Sequence, residues 1–134
     1  MNENQLNNFK FKKCIIIDDD DSQRDVLNLF AKNFAEEVFC FNNAEKAEKF
    51  ILINKDVDLI ITDYFIPNRE NGVKVAKFAK QNLKNNPFCI LISGDMEAIK
   101  NDNDLLFIDE FLEKPIDYRS LLSKTNLNYG GLNE

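Results

Sequence analysis

Short apolar runs alternate with segments of helical period through most of this chain. Cys14-Ile15-Ile16-Ile17 is continuously apolar and ends in acid, the pattern of a strand buried on both faces. Runs at 38–41 (Val38-Phe39-Cys40-Phe41), 57–61, 88–92 and 107–112 repeat it. Between them, 22–34 carries Val26, Leu29, Phe30, Ala31 and Phe34 at i, i+3, i+4 spacing, with Asp21 or Ser22 to cap its start. A second helix is predicted over 43–53, with Ala44, Ala47, Phe50 and Ile51 on one face. A third, over 71–84, sets Val73, Ala76, Ala79 and Leu83 on one face and Lys74, Lys77 and Lys80 opposite. The segment 95–104 is a poor helix former, rich in Asp and Asn, with only Met96, Ala98 and Ile99 as apolar candidates. A last short helix is predicted over 117–124.

Strand–helix alternation repeated five times predicts an α/β fold, a five-stranded parallel sheet doubly wound with helices on both faces. Right-handed crossovers leave a few topologies, and all of them gather the strand C-termini on one sheet edge. Ligands of such folds bind there, at the switch point of the strand order. The length of 134 residues suits one domain: residues 1–12 read as a flexible lead-in, 13–124 as the domain and 125–134 as an unstructured tail.

Composition narrows the chemistry. With 17 Lys and Arg against 23 Asp and Glu the net charge is −6, which argues against direct nucleic-acid binding. The chain has no His, so neither imidazole catalysis nor a His-ligated zinc site is available. Cys14, Cys40 and Cys89 each sit inside an apolar run and read as small buried hydrophobes. No signal peptide and no apolar stretch of membrane-spanning length is present, so a cytoplasmic protein without membrane contact is expected.

The polar residues fall just after the strands. Asp18-Asp19-Asp20-Asp21 follows the first, and taken alone it is as well explained by a solvated helix start as by a metal site. Thr62-Asp63 follows the third, Ser93-Gly94 the fourth and Lys114-Pro115 the fifth. Each is weak singly, but together they bring carboxylates, a hydroxyl and an ammonium to one edge of one sheet. Crowded carboxylates repel unless a cation compensates them, and hard oxygen ligands suit Mg²⁺. A carboxylate nucleophile with a divalent ion, a Lys and a hydroxyl around the phosphoryl oxygens is what phosphoryl transfer requires.

The pieces IIIDDDDSQR, DLIITDYFIPNRENG, CILISG and FLEKP occur in the order and at about the spacing found in receiver domains of response regulators, which the chain resembles from residue 13 to about 124. The resemblance implies the flavodoxin-like strand order 2-1-3-4-5 and phosphoryl acceptance on Asp63 from a histidine kinase or histidine phosphotransfer protein. It implies Mg²⁺ (or Mn²⁺) bound directly by Asp19, by Asp18 largely through water, by Asp63 and by the backbone carbonyl of Phe65. Ser93 matches the switch hydroxyl and Lys114 the lysine that contacts the acyl phosphate, with a cis peptide between Lys114 and Pro115. A helix-start proline is the other account of Pro115. Phe111 holds the aromatic switch position, where receivers often carry Tyr; Phe lacks the phenolic hydrogen bond, and plain core packing explains it equally.

Such a domain is not an enzyme with a separate substrate; it assists its own phosphorylation and dephosphorylation. The resemblance places kinase choice on the first helix near Gln23, Val26 and Leu27, with an unidentified downstream protein and a monomer or weak dimer as the signalling form. A stand-alone regulator, which the start at Met1 and the polar end favour, a phosphorelay intermediate and one domain of a longer protein are the alternatives. Departures from the family pattern are a loop one residue longer between Asp63 and Gly72, and a weak fourth helix with Phe107 where a small residue is common. Phe65 and Asp95, two residues past Asp63 and Ser93, are candidates for tuning the lifetime of the phosphorylated state. The alternative is a pseudo-receiver, the same fold serving as a phosphorylation-independent interaction module. An unrelated flavodoxin-like enzyme is disfavoured by the lack of a glycine-rich phosphate loop after the first strand.

Overall fold

The computed structural model describes residues 10–67 and 71–129, with side chains described to Thr125. In chain order the elements are β1 (Phe11–Ile17), α1 (Asp21–Ala31), β2 (Ala35–Phe41), α2 (Ala44–Ile53), β3 (Leu59–Asp63), α3 (Gly72–Asn82), β4 (Phe88–Ser93), α4 (Met96–Ile99), a 3₁₀ turn (Leu105–Phe107), β5 (Glu110–Glu113) and α5 (Tyr118–Tyr129). All strand pairs are parallel, in the order β2-β1-β3-β4-β5, the predicted topology.

Strand alternation sorts the core into two layers. Ile15, Ile17 and Ile60 pack with Ala47 and Ile51 of α2 and Val73, Ala76 and Ala79 of α3. Cys14, Ile16 and Ile61 point to the opposite face and pack with Leu27 and Ala31 of α1 and Leu121 of α5. Each fully buried Ile contributes roughly 1.5–3 kcal/mol relative to solvent, so the sheet is the main stabilising element.

Several boundaries differ from the sequence reading, each for a local reason. The lead-in ends sooner: Phe11 is buried, and the carboxylate of Asp58 accepts the backbone N–H groups of Lys12 and Lys13 at 2.9 and 3.0 Å. Residues 1–9 of that lead-in lie outside the described residues. Helix α1 stops at Ala31, because the N–H groups of Asn33 and Phe34 return to the carbonyls of Phe30 and Ala31 and turn the chain into β2. Its cap is Asp20, not Asp21 or Ser22, and its buried face runs through Leu27 and Ala31, while Val26 and Leu29 are 44% and 69% exposed. Leu27 therefore offers no surface to a partner.

The fourth helix is a single turn, and a separate 3₁₀ turn further on takes up Phe107; β5 accordingly begins at Glu110 and not at 107. Phe107 packs half-buried beneath the Nζ of Lys77, 5.8 Å from its ring centroid, which accounts for a large residue at this turn. Helix α5 continues past Lys124 to Tyr129, with Thr125 buried, where an unstructured tail was expected; residues 130–134 lie outside the described part. Cys14 and Cys89 are buried as expected, whereas Cys40 is only half-buried.

Candidate functional site

Three strand ends build one acidic pocket. Asp18 leaves β1 fully buried, and Asp63 closes β3 at 5% exposure; Asp19 lies between pocket and solvent. One carboxylate oxygen from each of Asp18, Asp19 and Asp63 lies within 4.8 Å of the others, spacing that fits a single hard cation. From β5 the Nζ of Lys114 donates to Oδ2 of Asp63 at 3.0 Å, and the Lys114–Pro115 peptide is cis.

Burial pushes the Asp63 carboxyl above its ordinary value, the Lys114 ammonium pulls it down, and the charge of Asp18 pushes it up again. Desolvation wins, so the ionised form of Asp63 is under electrostatic load. The carboxylate of Asp18 is held by N–H donors: Asp20 N donates to its Oδ1 at 2.9 Å and Gln23 Nε2 to its Oδ2, while Arg24 Nη1 donates to its backbone carbonyl at 2.8 Å.

The β3–α3 connection is tightly seated. The Thr62 hydroxyl donates to the carbonyl of Asp63 at 3.0 Å, Tyr64 N donates to Ile92 O at 2.8 Å, and Gly72 N returns to Tyr64 O at 2.9 Å. Phe65 bridges antiparallel to Asn71 and is 57% exposed. Residues 68–70 of the lengthened loop between Asp63 and Gly72 lie outside the described residues.

Ser93 is buried at the end of β4, but its hydroxyl is not turned to Asp63. It accepts the N–H of Asp95 at 3.0 Å and donates to the carbonyl of Asp95 at 3.2 Å. Phe111 stands half-buried in β5 opposite Leu91 and packs into the core layer of α2 and α3. Asp95 caps α4 by accepting the N–H of Ala98 at 3.2 Å.

Two contacts were not anticipated. Gln23 looked like partner-facing surface, yet its amide reaches into the pocket. Tyr64, directly after Asp63, donates its hydroxyl to Asp102 Oδ2 at 3.0 Å and so ties the pocket to the segment after α4. Apolar periodicity is silent about polar side chains that cross between elements; the D-x-x-Q spacing of Asp20 and Gln23 was the one available cue.

The family model described as response regulator receiver domain matches residues 14–126. A solved N-terminal domain of an uncharacterized protein from Wolinella succinogenes is 26% identical, with a TM-score of 0.71 over 88% of this chain and 93% of that one. A two-component response regulator from Clostridium difficile is 22% identical, with a TM-score of 0.72 over 92% of this chain and 99% of that one. A response regulator receiver domain protein from Methanospirillum hungatei shares 21% identity, with a TM-score of 0.72 over 90% and 95%. Among curated proteins, the 3′,5′-cyclic-nucleotide phosphodiesterase regA of Dictyostelium discoideum is 31% identical over 115 residues, 84% of this chain but 14% of that protein. The chain thus spans a small part of that relative's length.

Proposed function

Because this chain belongs to the response regulator receiver domain family of two-component signalling, we propose that it is a phospho-accepting switch that takes a phosphoryl group on Asp63. The observation that carries this reading is the convergence of Asp18, Asp19 and Asp63 within 4.8 Å, with Lys114 Nζ 3.0 Å from Asp63. A carboxylate oxygen of Asp63 forms the new bond to phosphorus as the bond to the donor breaks. The leaving group, the imidazole of a histidine kinase or phosphotransfer protein, departs with the electron pair. Lys114 stands where it can offset charge on the transferred group.

The donor set is all hard oxygen, which fits Mg²⁺ (or Mn²⁺) and not a soft metal. Asp19, Asp63 and the carbonyl of Phe65 would hold the ion directly and Asp18 through water. When bound, it supplies positive charge that offsets the crowded carboxylates and the phosphoryl oxygens. The residues themselves prepare that chemistry: burial excludes water from Asp63, and the donors on Asp18 keep that carboxylate in place.

Ser93 is the hydroxyl proposed to change partners on phosphorylation, leaving Asp95 for the phosphoryl oxygens, with Phe111 following as the aromatic of the switch. The output is then a changed protein-binding surface, and a cytoplasmic setting suits a phosphoryl donor of this kind. Among the described residues no helix is long and apolar enough to cross a membrane.

Incubation with acetyl phosphate and Mg²⁺ is expected to add one phosphate to the protein by intact mass. An unmodified protein would favour the pseudo-receiver, a binding module that works without phosphorylation. Phe65, two residues past Asp63, meets the ring of Tyr64 edge-on at 4.8 Å and is the apolar residue proposed to shield the acyl phosphate from water. The phosphorylated protein is expected to persist for minutes or longer, and Phe65→Ala to shorten that lifetime several-fold. Decay of the unaltered protein within seconds would remove the shielding role.

A further inference from the structure

Gln23 stands at the third position of α1, where the spacing from its cap Asp20 is that of a capping box. In such a box the N3 side chain returns to the N–H of the capping residue. Here the first half forms, with Gln23 N donating to Asp20 Oδ1 at 3.2 Å. The second half does not, because the N–H of Asp20 is taken by Asp18 Oδ1 at 2.9 Å and the Gln23 amide goes to Asp18 Oδ2.

The helix cap has thus been rerouted onto the buried carboxylate of the pocket. The amide nitrogen must be the atom facing Asp18, since an ionised carboxylate only accepts hydrogen bonds. Asp18 is fully buried, and each of its oxygens receives one N–H, so its carboxylate is fixed in rotation. Its remaining lone pairs are the ones available to the space shared with Asp19 and Asp63.

We propose that Gln23 is a positioning residue for the Asp18 carboxylate and through it sets the cation affinity of the pocket. The inference rests on the receiver reading of that pocket. Groups that orient a ligand from behind are typically worth about 10- to 100-fold in metal affinity. Gln23 also lies beside the exposed Val26 on α1, so a change at this helix start would reach the pocket through a single side chain.

The test uses the full chain and Mg²⁺ alone, by calorimetric titration, with thermal unfolding in chelator alongside. Gln23→Met keeps length and helix propensity but removes the donor, and its Mg²⁺ dissociation constant is expected to rise about tenfold. Gln23→Glu keeps the shape but turns a donor into a second carboxylate against Asp18. It is expected to unfold at a lower temperature than wild type without Mg²⁺ and to recover when Mg²⁺ saturates. A residue serving the helix cap alone would predict otherwise, because Glu is favourable in a first helical turn.

Mg²⁺ binding by Gln23→Met within about twofold of wild type would overturn the proposal, since the expected loss is about tenfold. So would a Gln23→Glu protein as stable as wild type in chelator. Wild type that takes up neither Mg²⁺ nor phosphate would overturn the receiver reading of the pocket together with this inference. Wild type that takes up both while Gln23→Met matches it overturns this inference only.

Discussion

Asp63→Asn is expected to abolish phosphate uptake from acetyl phosphate completely, while the wild-type chain gains one phosphate. An amide lacks the anionic oxygen that forms the acyl phosphate, and no other carboxylate of the pocket is paired with Lys114 among the described residues. The same substitution should stabilise the protein when metal is absent. Burial raises the Asp63 pKa above its ordinary value of 3.8 despite Lys114, so folding favours the protonated carboxyl. Its favourable contribution is therefore complete below that ordinary value and is lost as pH rises through the elevated folded value. At neutral pH the ionised Asp63 is a net cost that Asn removes.

Thermal unfolding in chelator should then place Asp63→Asn a few degrees above wild type at neutral pH. The gap should close as the solution is made acidic and wild-type Asp63 protonates. Mg²⁺ should also narrow it, because the wild-type pocket offers a cation one carboxylate more than the variant does. A variant that unfolds at or below the wild-type temperature at neutral pH would show that Lys114 outweighs desolvation, contrary to the balance described above.

Gly72→Ala is expected to be among the most damaging single substitutions in the chain, although it adds one methyl group. A Cβ at this position would lie 2.3 Å from the carbonyl oxygen of Asp63 and 2.7 Å from the Thr62 hydroxyl oxygen. The first of these is backbone at the end of a central strand, where every residue of β3 is buried. Nothing flexible can yield, so either α3 or the Asp63 peptide must move. Overpacking of this kind costs about 3 kcal/mol, at the upper end of the usual range, or a fall in unfolding temperature of roughly 10 °C for a domain of this size. Because the clash is with the Asp63 peptide itself, phosphate uptake should fall well beyond what the loss of folded protein explains. Chemical denaturation and intact-mass phosphorylation of the same preparation separate the two effects. Gly94→Ala is the natural comparison: its Cβ would stand 3.7 Å from Lys114 Cδ, an ordinary contact, and stability should scarcely change.

Much of this molecule is legible in its sequence. Runs such as Cys14–Ile17 and Phe88–Ile92 can be satisfied only by burial on both faces, and strands of that kind separated by helical segments force a parallel doubly wound sheet. Once the sheet is parallel, residues that follow strands share an edge. That is why Asp18, Asp63 and Lys114 could be brought together on paper and are together in the fold.

Three things depended on the tertiary structure. Where strands begin and end was decided by partners far along the chain: Asp58 anchoring Lys12 and Lys13 starts β1 early, and the 3₁₀ turn at Phe107 starts β5 late. Which side chains of α1 face inward depended on the helix's rotation against the sheet, which buried Leu27 and left Leu29 in solvent, although their apolar character is alike. The supporting contacts of the pocket, Gln23 to Asp18, Tyr64 to Asp102 and Gly72 against the Asp63 carbonyl, depended on distances of a few ångströms between elements. Periodicity reports which face of an element is apolar, but carries no information on how closely two elements approach or which polar group crosses the gap. The residue types of the pocket were therefore legible in the sequence, and their positioning was settled by packing.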